Sequence, residues 1–250
     1  MGNNFNINRM GLLMRRFYLM HRKTYFLGLG AGIIAVAIIS TLSMIDESYL
    51  EMEMVFGLSS FIFFVGGLVM TSKSYLELSD SNNSGFFLSL PATSLEKVLS
   101  HWITTGIIYW VMAIISVWVS VLLSSGIAIS LSKEISTFPD LFVVGPELAF
   151  QYLIVHSIFF LGAATFKRYP FFKTIIASFV ICLAVASAMA GIMYLIMGDA
   201  QVSFHGNVDF DPFGLANKED RMKFLLHSAE AIGALFLLTT SYLKLKEREV

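Results

Sequence analysis

Charge is scarce in this chain. Of its 250 residues only 14 % are Asp, Glu, Lys or Arg, against roughly 25 % in soluble domains. Hydrophobic residues make up 56 %, and the mean hydropathy is +0.72. Together these exclude an ordinary soluble domain and point to an integral membrane protein. Cysteine is nearly absent. The lone Cys182 rules out an internal disulfide and, set in an apolar run, reads as a small buried hydrophobe. There is no G-x-x-x-x-G-K-[ST] loop, and Gly28, Gly30 and Gly32 stand inside an apolar run rather than between a strand and a helix. No serine sits in a G-x-S-x-G context. The expectation is a chain that is not an enzyme, holds no cofactor or metal of its own and binds no nucleic acid.

What is present is a series of six long apolar runs, at 25–45, 55–71, 102–123, 148–166, 174–197 and 224–243. Each approaches the roughly 20 residues that cross about 30 Å of hydrocarbon. β-branched residues such as Val36, Ile38 and Ile39 do not argue for strands, because in lipid only helices and closed barrels satisfy the backbone. The first run is too long for a signal-peptide core and lacks a small-x-small cleavage site, so it is expected to be retained. Before it, Met10, Leu13, Met14, Phe17 and His21 recur at helical spacing, with Arg9, Arg15, Arg16, Arg22 and Lys23 largely opposite. Residues 3–23 therefore read as a basic amphipathic helix lying in the headgroup region, with an ordinary basic flank as the plainer alternative. The fold class expected is an all-α integral membrane protein, a single transmembrane domain over 1–250. It has six transmembrane helices preceded by an N-terminal amphipathic interfacial helix.

With six crossings both termini share a side. That side carries thirteen Lys and Arg and the other carries four, which predicts cytoplasmic termini in the cell's inner (plasma) membrane. The outer side then holds a short acidic connection, a longer one with Pro139 and Pro146, and the 198–223 loop. Gly28, Gly30 and Gly32 in the first run, and Ala184, Ser187, Ala188 and Gly191 in the fifth, are candidates for close helix contact.

Few charged residues lie deep in the runs. His156 stands mid-run with Gln151 five residues before it. An intramembrane ionisable group suggests function. Two roles fit: packing through one hydrogen bond to a neighbouring helix, or lining a substrate path. His227 and Glu230, three apart, share a helical face, but a metal site wants three or four ligands. Asn207, Asp209 and Asp211 lack the glycine and closing glutamate of a calcium loop, and read as solvated.

The longest polar interval on the inner side is 72–101, containing ELSDSNNSGFFLSLPATSLEK. Pro91 halts what precedes it. Thr93 and Glu96 have capping-box spacing, and Leu95, Val98, Leu99 and Trp102 then run at helical spacing into the third span. Phe86, Phe87, Leu88 and Leu90 form an apolar patch in a polar surround, which fits a partner protein as its cover.

The basic first helix, the six spans with both ends inside, the segment 77–97 and the long outer segment 198–223 together resemble the type 2 family of ABC-transporter permeases. The segment is similar to that family's E…GT…LL…LP-x-S…K pattern, although Gly85 is followed by Phe86 rather than Thr. The resemblance implies a permease subunit of an exporter driven by a separate ABC ATPase subunit. ATP and Mg would be bound by that partner and not by this chain. It implies a coupling helix near 82–90, with Gly85, Phe86, Phe87, Leu88 and Leu90 meeting the ATPase. Lys167 and Arg168, in the turn 167–173, would form a second contact. A second permease copy or a similar permease would complete the unit within the membrane lipids, the second and fifth spans facing the path, with His156 the one candidate on it. The alternatives are a membrane scaffold or sensor without transport, and a stand-alone secondary transporter. The latter would want inverted repeats and interrupted helices.

Overall fold

The computed structural model describes residues 5–46, 49–75, 89–137, 141–197 and 219–249. Helices dominate: α1 (Ile7–Asp46), α2 (Met52–Ser72), α3 (Ser94–Ile103), a π-helical turn (Thr104–Ile108), α4 (Tyr109–Ser130), α5 (Leu141–Thr165), α6 (Pro170–Met197) and α7 (Glu219–Glu249). Among the described residues, five stretches are long and apolar enough to cross a membrane: Ile7–Ile45, Met52–Ser72, Ser94–Ser130, Leu148–Thr165 and Pro170–Gly191. The protein is an all-helical, membrane-embedded chain. The 31-residue α7 lies along α5 and also meets α3.

Residues 7–46 form one continuous helix where the sequence reads as an interfacial segment followed by a span. The 40 residues extend about 60 Å at 1.5 Å each, roughly twice the hydrocarbon thickness. Nothing between Arg22 and Phe26 stops a helix: there is no proline, no glycine and no cap. The change from amphipathic to apolar pattern is a change of solvent, not a break in the backbone. The other helices likewise overrun their apolar windows by several residues, since polar ends propagate a helix already begun.

Successive helices reverse direction. The start of α1, the end of α2, the start of α3, the end of α5, the start of α6 and the end of α7 gather at one end of the bundle. At the opposite end β1 (Tyr49–Leu50) and β2 (Glu134–Ile135) pair in parallel, Tyr49 with Glu134 and Leu50 with Ile135. Ser136 finishes this clasp. Its N–H donates to the Leu50 carbonyl at 3.0 Å, and its hydroxyl accepts from the Met52 N–H at 2.8 Å. Two connections far apart in sequence are thereby held beneath a core that includes Met44, Leu50, Met52, Val55 and Val121.

The middle of the bundle is built from α1, α2, α4 and α5, with Tyr25, Phe63, Tyr109, Tyr152 and Phe159 at its centre. Buried hydroxyls in this apolar setting need partners. Ser59, Thr71, Ser72 and Ser120 each donate to the carbonyl four residues back. Ser40 donates to Ser124 across α1 and α4 at 2.9 Å. Close approach is possible because α2 carries Gly67: a Cβ there would lie 2.6 Å from the Tyr152 hydroxyl and 2.7 Å from the Tyr109 ring. Of the glycines in α1, Gly32 meets Phe63 closely, whereas Gly30 faces open space.

Helix α6 differs. Its apolar residues are exposed almost all round, and among the described residues its main contacts are with α5 and part of α2. Ala184, Ser187, Ala188 and Gly191 are exposed. Cys182 lies on the opposite side of α6 and is exposed too, not buried as its apolar surroundings suggested. Apolar sequence signals removal from water, and in a membrane helix lipid removes it as well as protein does.

Candidate functional site

The end of the bundle that carries the start of α3 holds the most specific polar structure in the molecule. Thr93 caps α3. Its side chain accepts from the Glu96 N–H at 3.3 Å, and the Glu96 carboxylate accepts from the Thr93 N–H at 2.9 Å, a complete capping box at the expected residues. The same carboxylate does more than the sequence suggests. Its other oxygen accepts from the Asn6 N–H at 2.6 Å and from Arg9 Nη2 at 2.8 Å. Glu96 is fully buried by these contacts, while Arg9 stays about one-third exposed. One side chain thus closes the start of α3 and ties the start of α1 to it.

Behind this latch, α3 is packed on three sides. Val98 is buried with Tyr75, Phe160, Ala163, Ala164 and Leu245, and Leu90 rests half-buried on that group. Lys97 and His101 are also buried. His101 stacks on Tyr75 at 5.4 Å and meets Phe17 at 4.4 Å. Aromatic contacts continue inward from Tyr75 to Phe160 (5.3 Å), from Phe160 to His156 (6.0 Å) and from His156 to Tyr152 (5.6 Å). A run of rings therefore joins the base of the 72–101 loop to the middle of the bundle.

His156 sits where α3 passes into α4, against the π-helical turn Thr104–Ile108. Such turns interrupt α-helices mostly at functional positions. The Thr105 hydroxyl donates to the His101 carbonyl at 2.9 Å. With its single proton so committed, Thr105 accepts from His156 Nε2–H at 3.0 Å. Gly106 leaves room for the ring: a Cβ there would be 3.1 Å from His156 Cε1. Tyr152 completes the group by donating to the Thr105 carbonyl at 3.1 Å. His156 Nδ1 is buried with no hydrogen-bond partner among the described residues. The ring is wholly enclosed, so in this conformation it braces the turn from inside the bundle.

Of the residues expected to meet a partner, Gly85, Phe86, Phe87 and Leu88 lie outside the described residues. So do Asn207, Asp209, Asp211 and Asn217, and the side chain of His227. Leu90 belongs to the packed base of α3. Lys167 and Arg168 are exposed in the turn between α5 and α6. That turn is forced by Tyr169, whose φ of 53° is left-handed. A non-glycine residue adopts that region at a cost of about 1–2 kcal/mol. His156, Glu96 and the 167–168 turn do not form one pocket. They mark the interior, the latch and the rim of the same half of the bundle. Among the described residues, no three of His, Cys, Asp and Glu come together as metal ligands.

Sequence reasoning missed the Arg9–Glu96 pairing, the π-helical turn and the roles of Tyr109 and Tyr152. The signals that could have found them are the Thr104-Thr105-Gly106 cluster opposite His156 and tyrosines in the middle of apolar runs. No protein-family model, no curated protein and no solved structure matches this chain.

Proposed function

We propose that this chain is the membrane-spanning subunit of an ATP-binding-cassette transporter, acting as an exporter and driven by a separate ATPase subunit through the 72–101 loop. Six spans cross the inner membrane with both termini in the cytoplasm, and the first turns of α1 form the basic interfacial segment. The reading rests first on the 77–97 segment, which resembles the type 2 permeases. One structural observation carries it further: the start of α3 is capped, latched to α1 and continuous with a membrane-spanning helix. A loop attached at that point can move a span rather than merely deform itself.

Force from the ATPase enters through the segment containing Phe86 and Phe87. It passes to α3, and Glu96 carries it to the start of α1. The π-helical turn at 104–108, braced by His156, is where α3 changes its angle to α4. Lys167 and Arg168 supply a second contact on the same cytoplasmic face. ATP shifts the arrangement of spans only through contacts that differ between the two states, and this joint is where those contacts lie. A second permease copy completes the unit, with α6 free to meet it.

The test is the double substitution Phe86→Ala/Phe87→Ala in the full chain. The expected result is normal membrane insertion with loss of the associated ATPase. Unchanged association would overturn the assignment of the coupling segment. Correct insertion with no ATPase bound even to the parent chain would favour the scaffold reading.

A further inference from the structure

The described cations at the Glu96 end are not all consumed by the latch. Lys73 ends α2, and Lys167 and Arg168 occupy the α5–α6 turn; the three line one cleft of about 610 Å³ together with Val69, Pro170 and Phe172. None of the three forms an ion pair among the described residues. Among the described residues no acidic side chain lines the cleft. Three positive charges gathered at one rim make a field that an anion balances.

The cleft does not end as a polar bowl. Val69 and Lys73 also line a second groove, of about 710 Å³, between α1 and α2. This groove runs from Lys73 to Ile62, and the small residues Gly28, Ala31, Gly32 and Gly66 form part of its wall. Its length along α2 is about 16 Å at 1.5 Å per residue, close to half of the roughly 30 Å hydrocarbon thickness. Among the described residues it too has no acidic lining. A positive rim at the end of the spans thus opens into an apolar channel as long as one leaflet is deep.

From this geometry we infer that the α2 end is a binding site for an anionic phospholipid, with the headgroup phosphate at Lys73, Lys167 and Arg168 and one acyl chain in the α1–α2 groove. Basic pockets between spans hold anionic headgroups in this way. A free phosphate would satisfy the rim but leave the groove empty, and a zwitterionic lipid would fill the groove but leave the charge. The site needs the bilayer and not the ATPase, but it takes the same Lys167 and Arg168 that the transporter reading gives to its second ATPase contact, and the triple variant separates the two. It also gives the strained turn at Tyr169 a purpose, since that turn aims Lys167 and Arg168 at the end of α2.

The experiment is native mass spectrometry on the full chain, purified and delipidated in detergent, then titrated with dioleoylphosphatidylglycerol or dioleoylphosphatidylcholine. The parent chain should retain the phosphatidylglycerol on the order of 100-fold more tightly, at about fivefold for each basic residue. The triple variant K73Q/K167Q/R168Q should bind both lipids alike. Ala31→Phe, which fills the groove from an exposed position, should weaken both lipids and leave their ratio intact. Millimolar inorganic phosphate should displace neither. Thermal unfolding at the parent temperature verifies that each variant is folded. Equal retention of the two lipids by the parent, or an unaltered preference in the triple variant, would overturn the site. Displacement of the lipid by inorganic phosphate would replace it with a simple phosphate site. If the triple variant lost a co-purifying ATPase while keeping its lipid preference, those cations would belong to the partner interface and the lipid site would fall.

Discussion

Helices α2 and α6 are nearly equal in hydropathy and opposite in fate. Their most apolar windows average 2.0 and 2.2, yet 39 % of the α2 window is buried in the bundle and only 6 % of that in α6. Hydrophobicity therefore does not decide which helix is interior. The α2 sequence carries Gly66, Gly67, Ser59, Thr71 and Ser72, which let tyrosines approach and satisfy their own hydroxyls on the backbone. Helix α6 carries Ala184, Ala188 and Gly191, small residues with nothing yet packed on them. In lipid, protein contact is selected by shape and by buried hydrogen bonds. The inside of this bundle is thus the side with polar atoms to satisfy, and α6 is left for lipid or another subunit.

A matched pair of substitutions breaks this contrast most sharply. Gly67→Leu drives a side chain into Tyr109 and Tyr152 and should destabilise the bundle by about 3 kcal/mol or more, or prevent folding. Gly191→Leu meets nothing among the described residues and should stay within about 0.5 kcal/mol. Thermal unfolding of both in detergent reads the difference directly. A Gly191 variant as damaged as the Gly67 one would mean that α6 is already packed in the purified protein.

The latch comes next in size. Glu96→Ala removes the carboxylate half of the capping box, while Thr93 still accepts from the backbone N–H of residue 96, and it breaks the ties to the Asn6 N–H and to Arg9, a loss of about 1–3 kcal/mol. Hydrogen exchange should rise at residues 6–10 and 93–97 together, and Glu96→Gln should restore the cap more than the pairing with Arg9. Exchange rising at 93–97 alone would show that α1 is held by something else. A smaller effect is expected at the π-helical turn. Thr105→Val leaves His156 Nε2–H without its acceptor, at about 1–2 kcal/mol. His156→Asn should preserve folding. Should it also preserve transport, the residue acts by packing alone. The smallest effect belongs to Cys182→Ser on the exposed face of α6, within about 0.5 kcal/mol. Labelling of Cys182 by an apolar thiol reagent in the folded parent should be rapid, and protection would place it at an interface.

The apolar runs were legible because crossing hydrocarbon imposes length and composition on a sequence, and the capping box was legible because its three-residue spacing is local. Five of the six runs coincide with helices long and apolar enough to cross a membrane, and the capping box stands at the expected residues. What was hidden depends on residues that are far apart. Arg9 and Glu96 are 87 positions apart, and no local pattern announces that a capping carboxylate also binds the start of the chain. The continuity of α1 was obscured because amphipathic and apolar halves look like two elements, although the backbone between them has no reason to stop. The enclosure of His156 follows from Gly106 and Thr105 on another helix, so its place in the run alone could not choose between packing and a path. Cys182 shows the same limit from the other side, since an apolar neighbourhood in sequence does not distinguish protein interior from lipid.

The central claim is that the capped start of α3 is the joint through which a partner ATPase moves the spans. The most direct measurement is to purify the full chain from its native membrane in mild detergent and weigh what accompanies it by mass spectrometry. The account predicts a soluble ATPase in stoichiometric amount, absent from the Phe86→Ala/Phe87→Ala variant. A chain that purifies without any ATPase, under conditions that keep other membrane complexes whole, would contradict it.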